Sequence, residues 1–511
     1  MSAIPPEIAA LVAKAWAIQD FAEGERSLAE GCRIYPDHWH LRTCHAAALG
    51  YCARFVEARA AFDALLRDTP PPKRLHMHGL LGVEWCRIGR HDLAVPLLRT
   101  AIASPPGAMT AVAPVYEALA DALVHLREHA EAKKVARRGL RLYPGHPGLL
   151  VVLARALRAS GQPDEAADTA RRVITAVNAS PDAIAQAGHE LGHALDAQGR
   201  YADAFVAYQS AKVAQRPAVK EFLPLWQNRM AQIRNLDGQP VRADYARWDA
   251  EAGADAGAPP LSFLVGIPRS GTTLLERVLD AHPGLVSVSE TPVFSNMWNM
   301  HLRAVPACRT LVEALGPVTP ERREIGRAVY LSIIRQAADR PVDGRMILDK
   351  HPSSLPNVPV IHRYFPGAKV VMALRDPRAV AWSCFAQYLP MNSESAAFNR
   401  FDTLGAHIAA SLRLWLNTRA QLPRHVWHET RYESLVSDFG GEARRTLEFL
   451  GLPWSEDVTS FHTNPSPVRS PTYAEASRPI FTGSVEKWRH YEEFMGDALP
   501  ALAPVMGDLG Y

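Results

Sequence analysis

The pattern of apolar and polar positions changes character about halfway along the 511-residue chain. The first part reads as paired helices that repeat. With the small residue at the start of each second helix as an anchor, Gly24, Ala58, Ala94, Ala132, Ala166 and Ala204 follow one another at 34, 36, 38, 34 and 38 residues. Another small residue stands 12 positions before five of them (Ala46, Gly82, Ala120, Ala154, Gly192), and a glycine 5 before three (Gly89, Gly161, Gly199). A proline follows the first four by 12 residues (Pro36, Pro70, Pro106, Pro144). Small residues let antiparallel helices touch, glycine serves the turn, and proline ends the second helix. The spacing predicts six imperfect helix–turn–helix units to about Pro217, in an α-solenoid over residues 1–235. Residues 236–260, rich in Ala, Gly, Asp and Pro, read as a linker. Beyond it, apolar runs alternate with amphipathic helices: LSFLVGI from Leu261 with a helix from about Gly271, RMILD from Arg345, and AKVVMAL from Ala368 with a helix from about Pro377. That alternation implies βαβ units and a parallel sheet, an α/β domain over 261–511.

The first half resembles tetratricopeptide repeats, whose period is about 34 residues. Such solenoids present a concave surface to a peptide or protein, so a protein partner is expected there. Composition alters this picture little. An apolar content of 48% with 21% charged residues supplies ample core, and the length exceeds what one core usually holds. A net charge of +3 favours neither nucleic acid nor an anionic membrane as partner. The six cysteines (Cys32, Cys44, Cys52, Cys86, Cys308, Cys384) form no CxxC pair, which points to a reducing compartment. The start MSAIPPEIAALVAKAW lacks the features of a secretory signal, and no stretch approaches the ~18 apolar residues of a membrane span. A cytoplasmic protein is expected. No metal is expected.

The chemistry concentrates after residue 260. Leu261 to Leu279, LSFLVGIPRSGTTLLERVL, is a buried-strand run, a glycine turn and a helix, the setting in which backbone N–H groups and a helix N-terminus cradle a phosphate. GIPRSGTT from Gly266 nearly matches the P-loop pattern GxxxxGK[ST]. Thr272 stands at the lysine position, however, and the basic residue is Arg269, which disfavours ordinary ATP hydrolysis. In VVMALRDPRAVAWSCF, an apolar strand ends at Arg375 and Ser383 lies two helical turns on; an arginine fork and a hydroxyl can grip a second phosphate. Glu290, in VSVSETPVF, is a carboxylate able to take a proton from an attacking hydroxyl.

The strand, PRSGTT, the helix ending in LDAHP and the following SET resemble the sulfotransferase family, nearest its tyrosylprotein branch, over roughly Leu261 to Tyr491. The resemblance implies transfer of a sulfuryl group from 3′-phosphoadenosine-5′-phosphosulfate to a hydroxyl. It assigns the donor's 5′-phosphosulfate to Arg269, Ser270, Gly271, Thr272 and Thr273, and its 3′-phosphate to Arg375 and Ser383. It makes Glu290 the base, with His351 as the alternative used by branches with small acceptors. It also makes Lys350, in MILDKHP, the contact to the transferring group, where its cation offsets charge on the bridging oxygen. Arg269 joins Glu290 and Lys350 as a catalytic residue. Ser484 and Lys487 resemble the segment that closes over the donor, and Tyr432 the residue near the adenine, whereas Trp488 reads as packing. Thr291 and Pro292 stand where the tyrosylprotein branch carries basic residues, so the acceptor stays open among tyrosine, glycan, lipid and small molecule. A P-loop kinase or NTPase, with Asp349 as its magnesium ligand, and a repeat scaffold with an inert α/β domain are the competing readings.

Overall fold

The computed structural model of the chain describes residues 4–17, 21–103, 112–236, 238–252, 260–290, 310–463 and 480–511. Pro106, Thr291, Pro292 and Cys308 lie outside them. Two compact units result, one built mainly on Met1–Ala179, the other mainly on Ser180–Glu290 and Ala338–Tyr511.

The first unit is a series of helical hairpins: α1 (Pro6–Ala17) with α2 (Phe21–Ile34), α3 (Trp39–Tyr51) with α4 (Phe55–Asp68), α5 (Arg74–Arg87) with α6 (His91–Ile102), α7 (Ala113–His125) with α8 (His129–Leu142), and α9 (Pro147–Ala159) with α10 (Pro163–Ile174). The repeat anchors sit where the helices touch. Ala58, Ala94, Ala132 and Ala166, with their partners Ala46, Ala120 and Ala154, are 0% exposed. At Gly82 a β-carbon would stand 2.6 Å from the Leu98 side chain, so the close approach of α5 to α6 requires glycine. The turn five residues before Ala58, Ala94, Ala132 and Ala166 is left-handed: Gly89 and Gly161 at φ +82° and +73°, but also Ala53 at +60° and Arg127 at +66°. The last two carry a β-carbon into a region costly for L-residues.

The second unit opens with another hairpin, α11 (Pro181–Ala197) and the 35-residue α12 (Tyr201–Asn235). Its packing follows the repeat logic: Ala204 is 0% exposed, and a β-carbon on Gly192 would lie 2.5 Å from the Tyr208 ring. Yet the hairpin belongs to the compact body of the sheet, and the C-terminal end of α12 packs Met230 and Ile233 on Leu414. The stretch read as a linker is, over Arg242–Ala252, a docked helix, α13. Its Tyr245 and Trp248 are each 1% exposed; Tyr245 meets the His362 ring edge-on at 5.1 Å, and Glu251 pairs with Arg363 at 2.7 Å. Two aromatics three residues apart on one helical face outweigh the Ala/Gly-rich composition that suggested a linker.

Five parallel strands form the sheet, in the order β2-β3-β1-β4-β5. They are β1 (Leu261–Gly266), β2 (Leu285–Ser289), β3 (Met346–Lys350), β4 (Lys369–Leu374) and β5 (Trp427–Arg431). The apolar runs at β1, β3 and β4 match the expected strands. Every residue of β1 and β3 is buried, as continuous apolar runs require when helices cover both faces. Helix α14 (Thr272–Asp280) lays Leu275, Val278 and Leu279 on Leu264, Leu348 and Val371. Near the end of β3, Asp349 is 3% exposed and accepts a hydrogen bond from the Tyr330 hydroxyl at 2.7 Å.

The strained turn at Arg127 predicts that Arg127→Gly stabilises the protein by about 1 kcal/mol. Gly161→Ala, at the same repeat position, loses about as much; thermal and chemical denaturation measure both. Burial pushes the Asp349 carboxyl up to about 7. It stays protonated in the fold while its unfolded counterpart ionises near the ordinary carboxylate value, so its contribution is full below about pH 4 and is lost as pH rises toward 7. Asp349→Asn, which keeps the acceptor for Tyr330, should flatten that decline, with a gain over wild type on the order of a few kcal/mol at pH 8. Denaturant midpoints across pH 4–8 that run parallel for the two proteins would refute it.

Candidate active site

The loops that leave the carboxyl ends of the five strands carry the candidate residues. β1 ends at the turn Ile267–Gly271, Glu290 follows β2, Lys350 ends β3, Arg375 follows β4 and Tyr432 follows β5. With β3 on one side of β1 and β4 on the other, β1 is the topological switch point, where an open α/β sheet forms its crevice.

The turn after β1 is tight. Arg269 (φ +73°) and Gly271 (φ +91°) are both left-handed and bring the chain into the N-terminus of α14. A β-carbon on Gly271 would stand 2.6 Å from the Tyr432 ring; one on Gly266 would stand 2.8 Å from Ser270 Oγ and 3.0 Å from the Ala373 carbonyl. Ser270 Oγ is buried without a hydrogen-bond partner, and Thr272 and Thr273 are buried beside it at the start of the helix. An unsatisfied hydroxyl beside a helix N-terminus fits an anion such as a phosphate or sulfate oxygen.

The two arginines meet. Arg375 donates to the Arg269 carbonyl at 3.1 Å and to the Ser484 carbonyl at 2.7 Å, while Arg269 Nε donates to Ser383 Oγ at 2.9 Å. Arg269, Arg375, Ser383, Ser484 and Lys487 line one pocket. Asp376 caps the helix Pro377–Ala386 by accepting from the Arg378 N–H at 2.8 Å. The RDP turn is therefore both a cap and a means of aiming Arg375 inward. Tyr432 lies under the Arg375 guanidinium, 4.5 Å from ring centre to charge. Trp488, 2% exposed, takes Arg378 over its ring at 4.2 Å and also lines the pocket.

A second cluster stands at the ends of β2 and β3. Lys350, 0% exposed, places Nζ 2.5 Å from Glu290 Oε1 and 3.2 Å from Glu276 Oε2. The Glu290 N–H donates to the Lys350 carbonyl at 2.7 Å, and Glu290 is left-handed at φ +48°, a turn that brings its side chain back onto the lysine. Burial alone would depress the Lys350 ammonium, but the two carboxylates outweigh it and hold it above its ordinary value. Burial raises Glu276 despite Lys350. Burial likewise lowers the His351 imidazole, whose Nδ1 is buried without a hydrogen-bond partner. Glu276 is the residue that motif reading missed. Its signal is a charged residue on the buried face of α14, within a helix otherwise lined by Leu275, Val278 and Leu279. Asp349, enclosed and bonded to the Tyr330 hydroxyl, is poorly placed to bind magnesium. Among the described residues no cluster of three or more His, Cys, Asp or Glu could hold a metal, and no helix is long and apolar enough to cross a membrane.

Comparison with known proteins adds to this geometry. Residues 260–456 match the sulfotransferase family, and residues 47–108 and 113–155 match tetratricopeptide repeats. An uncharacterized protein of Aquifex aeolicus is 27% identical over 253 residues, 47% of this chain, and the match spans only 32% of that relative's length. Protein-tyrosine sulfotransferase A of Caenorhabditis elegans is 25% identical over 262 residues, 49% of this chain and 67% of that protein. Among solved structures, the sulfotransferase domain of the Synechococcus PCC 7002 olefin synthase aligns with TM-score 0.33 at 23% identity, covering 46% of this chain and 90% of that one. The sheet and its strand-end loops thus lie in a domain of the sulfotransferase family, on a chain whose N-terminal part is built of tetratricopeptide repeats.

Proposed function

We propose that this protein transfers a sulfuryl group from 3′-phosphoadenosine-5′-phosphosulfate to a hydroxyl acceptor. The observation that carries the reading is the joining of Arg269 and Arg375 at one pocket with Ser383, beside a buried hydroxyl that lacks a partner. On this reading Arg269 to Thr273 hold the donor's 5′ end, and Arg375 and Ser383 its 3′-phosphate. Tyr432 lies toward the adenine, with Ser484 and Lys487 closing over it. The donor supplies a sulfuryl group on a phosphate leaving group. Glu290 takes the proton of the acceptor hydroxyl as that oxygen attacks, since its side chain is 32% exposed and still held by Lys350. Lys350 counters charge on the departing oxygen, and Arg269 shares that task. His351, held neutral by burial, could accept a proton, but Glu290 has the ion pair that orients it.

The likeness to protein-tyrosine sulfotransferase A supports a tyrosine as acceptor, brought by a protein that the repeats bind. A reducing compartment belongs to the same reading, since the cysteines of the sequence form no CxxC pair. Thr272 at the P-loop lysine position and the enclosure of Asp349 against Tyr330 both weigh against nucleotide hydrolysis.

Arg375→Ala should weaken adenosine-3′,5′-bisphosphate binding roughly 10- to 100-fold by calorimetry, whereas Glu290→Gln should leave it within about twofold and lower turnover by about two orders of magnitude or more. Equal affinities for wild type and Arg375→Ala would remove the 3′-phosphate assignment. Labelled sulfate donor with cell extract as acceptor pool tests the transfer itself: a labelled protein names the acceptor class, and no labelled product removes the activity. Lys350→Met should destabilise the fold by about 3–5 kcal/mol in urea, because Glu276 is left buried without a counter-charge. Adding Glu276→Gln should return much of that loss.

A further inference from the structure

We infer that helices α11 and α12 form a wall of the nucleotide pocket, with His193 a further binding residue at its phosphate end and Asp196 a positioning residue that acts through Lys487. The inference rests on the donor reading above and adds to it a part of the chain outside the segment that matches the sulfotransferase family.

His193 and Tyr208 line the same pocket as Arg269, Arg375, Ser383 and Lys487. The His193 ring is fixed by a 2.9 Å hydrogen bond between its Nδ1 and the Tyr208 hydroxyl. Tyr208 in turn stands edge-on to Trp382 at 5.6 Å, and Trp382 stacks on Tyr491 at 3.5 Å. An imidazole presented in this way beside two guanidinium groups can give a hydrogen bond to a phosphate oxygen. One turn on, Asp196 has a side chain only 10% exposed, and its two oxygens serve different partners. Oδ2 lies 2.5 Å from Lys487 Nζ and Oδ1 accepts from the Tyr491 hydroxyl at 2.5 Å. The Lys487 side chain is 41% exposed, so without this contact it would sample many rotamers in solvent. Asp196 holds its ammonium at the pocket rim while leaving a net cationic lining for a doubly phosphorylated ligand.

The hairpin is fastened to the helix that carries Ser383 independently of these residues. His189 Nδ1 lies 2.8 Å from the Ala386 carbonyl, the Asn399 amide donates to the Lys212 carbonyl at 2.9 Å, and the Tyr388 hydroxyl donates to Asp182 at 2.5 Å. The last contact supplies a control, because it joins α11 to the chain just beyond that helix without lining the pocket.

Calorimetry on the full chain with adenosine-3′,5′-bisphosphate and with adenosine 5′-monophosphate tests the inference. In His193→Asn the new amide can keep the bond to Tyr208 but lacks the outer half of the ring. Its bisphosphate Kd should rise about tenfold, while the monophosphate Kd stays within twofold. Asp196→Asn should raise the bisphosphate Kd about fivefold, Lys487→Gln by the same factor, and the double variant no further. Asp182→Asn should leave both ligands at wild-type affinity. Should Asp196→Asn or His193→Asn melt early, the Lys487→Gln ratio between the two ligands still decides, since that change lies outside the hairpin and removes the half-exposed group through which Asp196 acts. Wild-type bisphosphate affinity in the His193 and Asp196 variants, an equal loss of both ligands, or additive losses in the double variant would overturn the inference and leave the donor reading intact. A wild-type protein that fails to bind the bisphosphate would overturn both.

Discussion

Strand β1 is hydrogen-bonded on both sides, to β3 and to β4, and the connections that leave β1 (to β2) and β4 (to β5) diverge. In a parallel sheet every strand points the same way, so this divergence opens a crevice at one edge and gathers there the residues that follow each strand. Five chain segments far apart in sequence contribute: the turn at Arg269, Glu290, Lys350, Arg375 and Tyr432. None of them needs a long loop to reach the crevice. The rigidity of the site is that of buried strands hydrogen-bonded along their length, which is the support a site needs if its groups are to be held in place before a ligand arrives.

Within that frame the charges are divided by burial. Lys350 is wholly enclosed and neutralised by Glu276 and Glu290, so it belongs to the fold as much as to the chemistry. The arginines are treated otherwise: Arg375 gives its hydrogen bonds to main-chain carbonyls, and Arg269 to a serine hydroxyl. Neutral acceptors orient a guanidinium without cancelling its charge. One cluster is internally balanced and the other keeps a positive field, an arrangement suited to an anionic ligand on one side and proton transfer on the other.

Much of this was legible from residue order alone, for reasons that particular positions make clear. The repeat anchors could be seen because helix contact tolerates only small residues, and every alanine among them is fully buried. Strands β1, β3 and β4 announce themselves as apolar runs. β2, with serines at alternate positions, and β5, a half-buried edge strand reading WHETR, do not. Composition misled at Arg242–Ala252, where Tyr245 and Trp248 bind a segment that its alanines and aspartates made look idle. Glu276 was passed over because a glutamate in an amphipathic helix reads as its solvent face, and only coordinates reveal a lysine opposite. Likewise periodicity assigned α11 and α12 to the solenoid, since it reports how two helices pack on each other and is silent about what else they pack on.

The last point bears on how such a chain could have been assembled. A helix of 35 residues rises about 50 Å at 1.5 Å per residue, without a break at which one module could be cut from the next. Through Tyr208 near one end and Ile233 near the other, α12 packs on the body that holds the sheet. A recombination event that moved only the segment from Leu261 onward would leave behind packing surface for Trp382, Tyr491 and Leu414. The compact body that holds the sheet begins near Ser180, some 80 residues upstream of the segment that matches the sulfotransferase family.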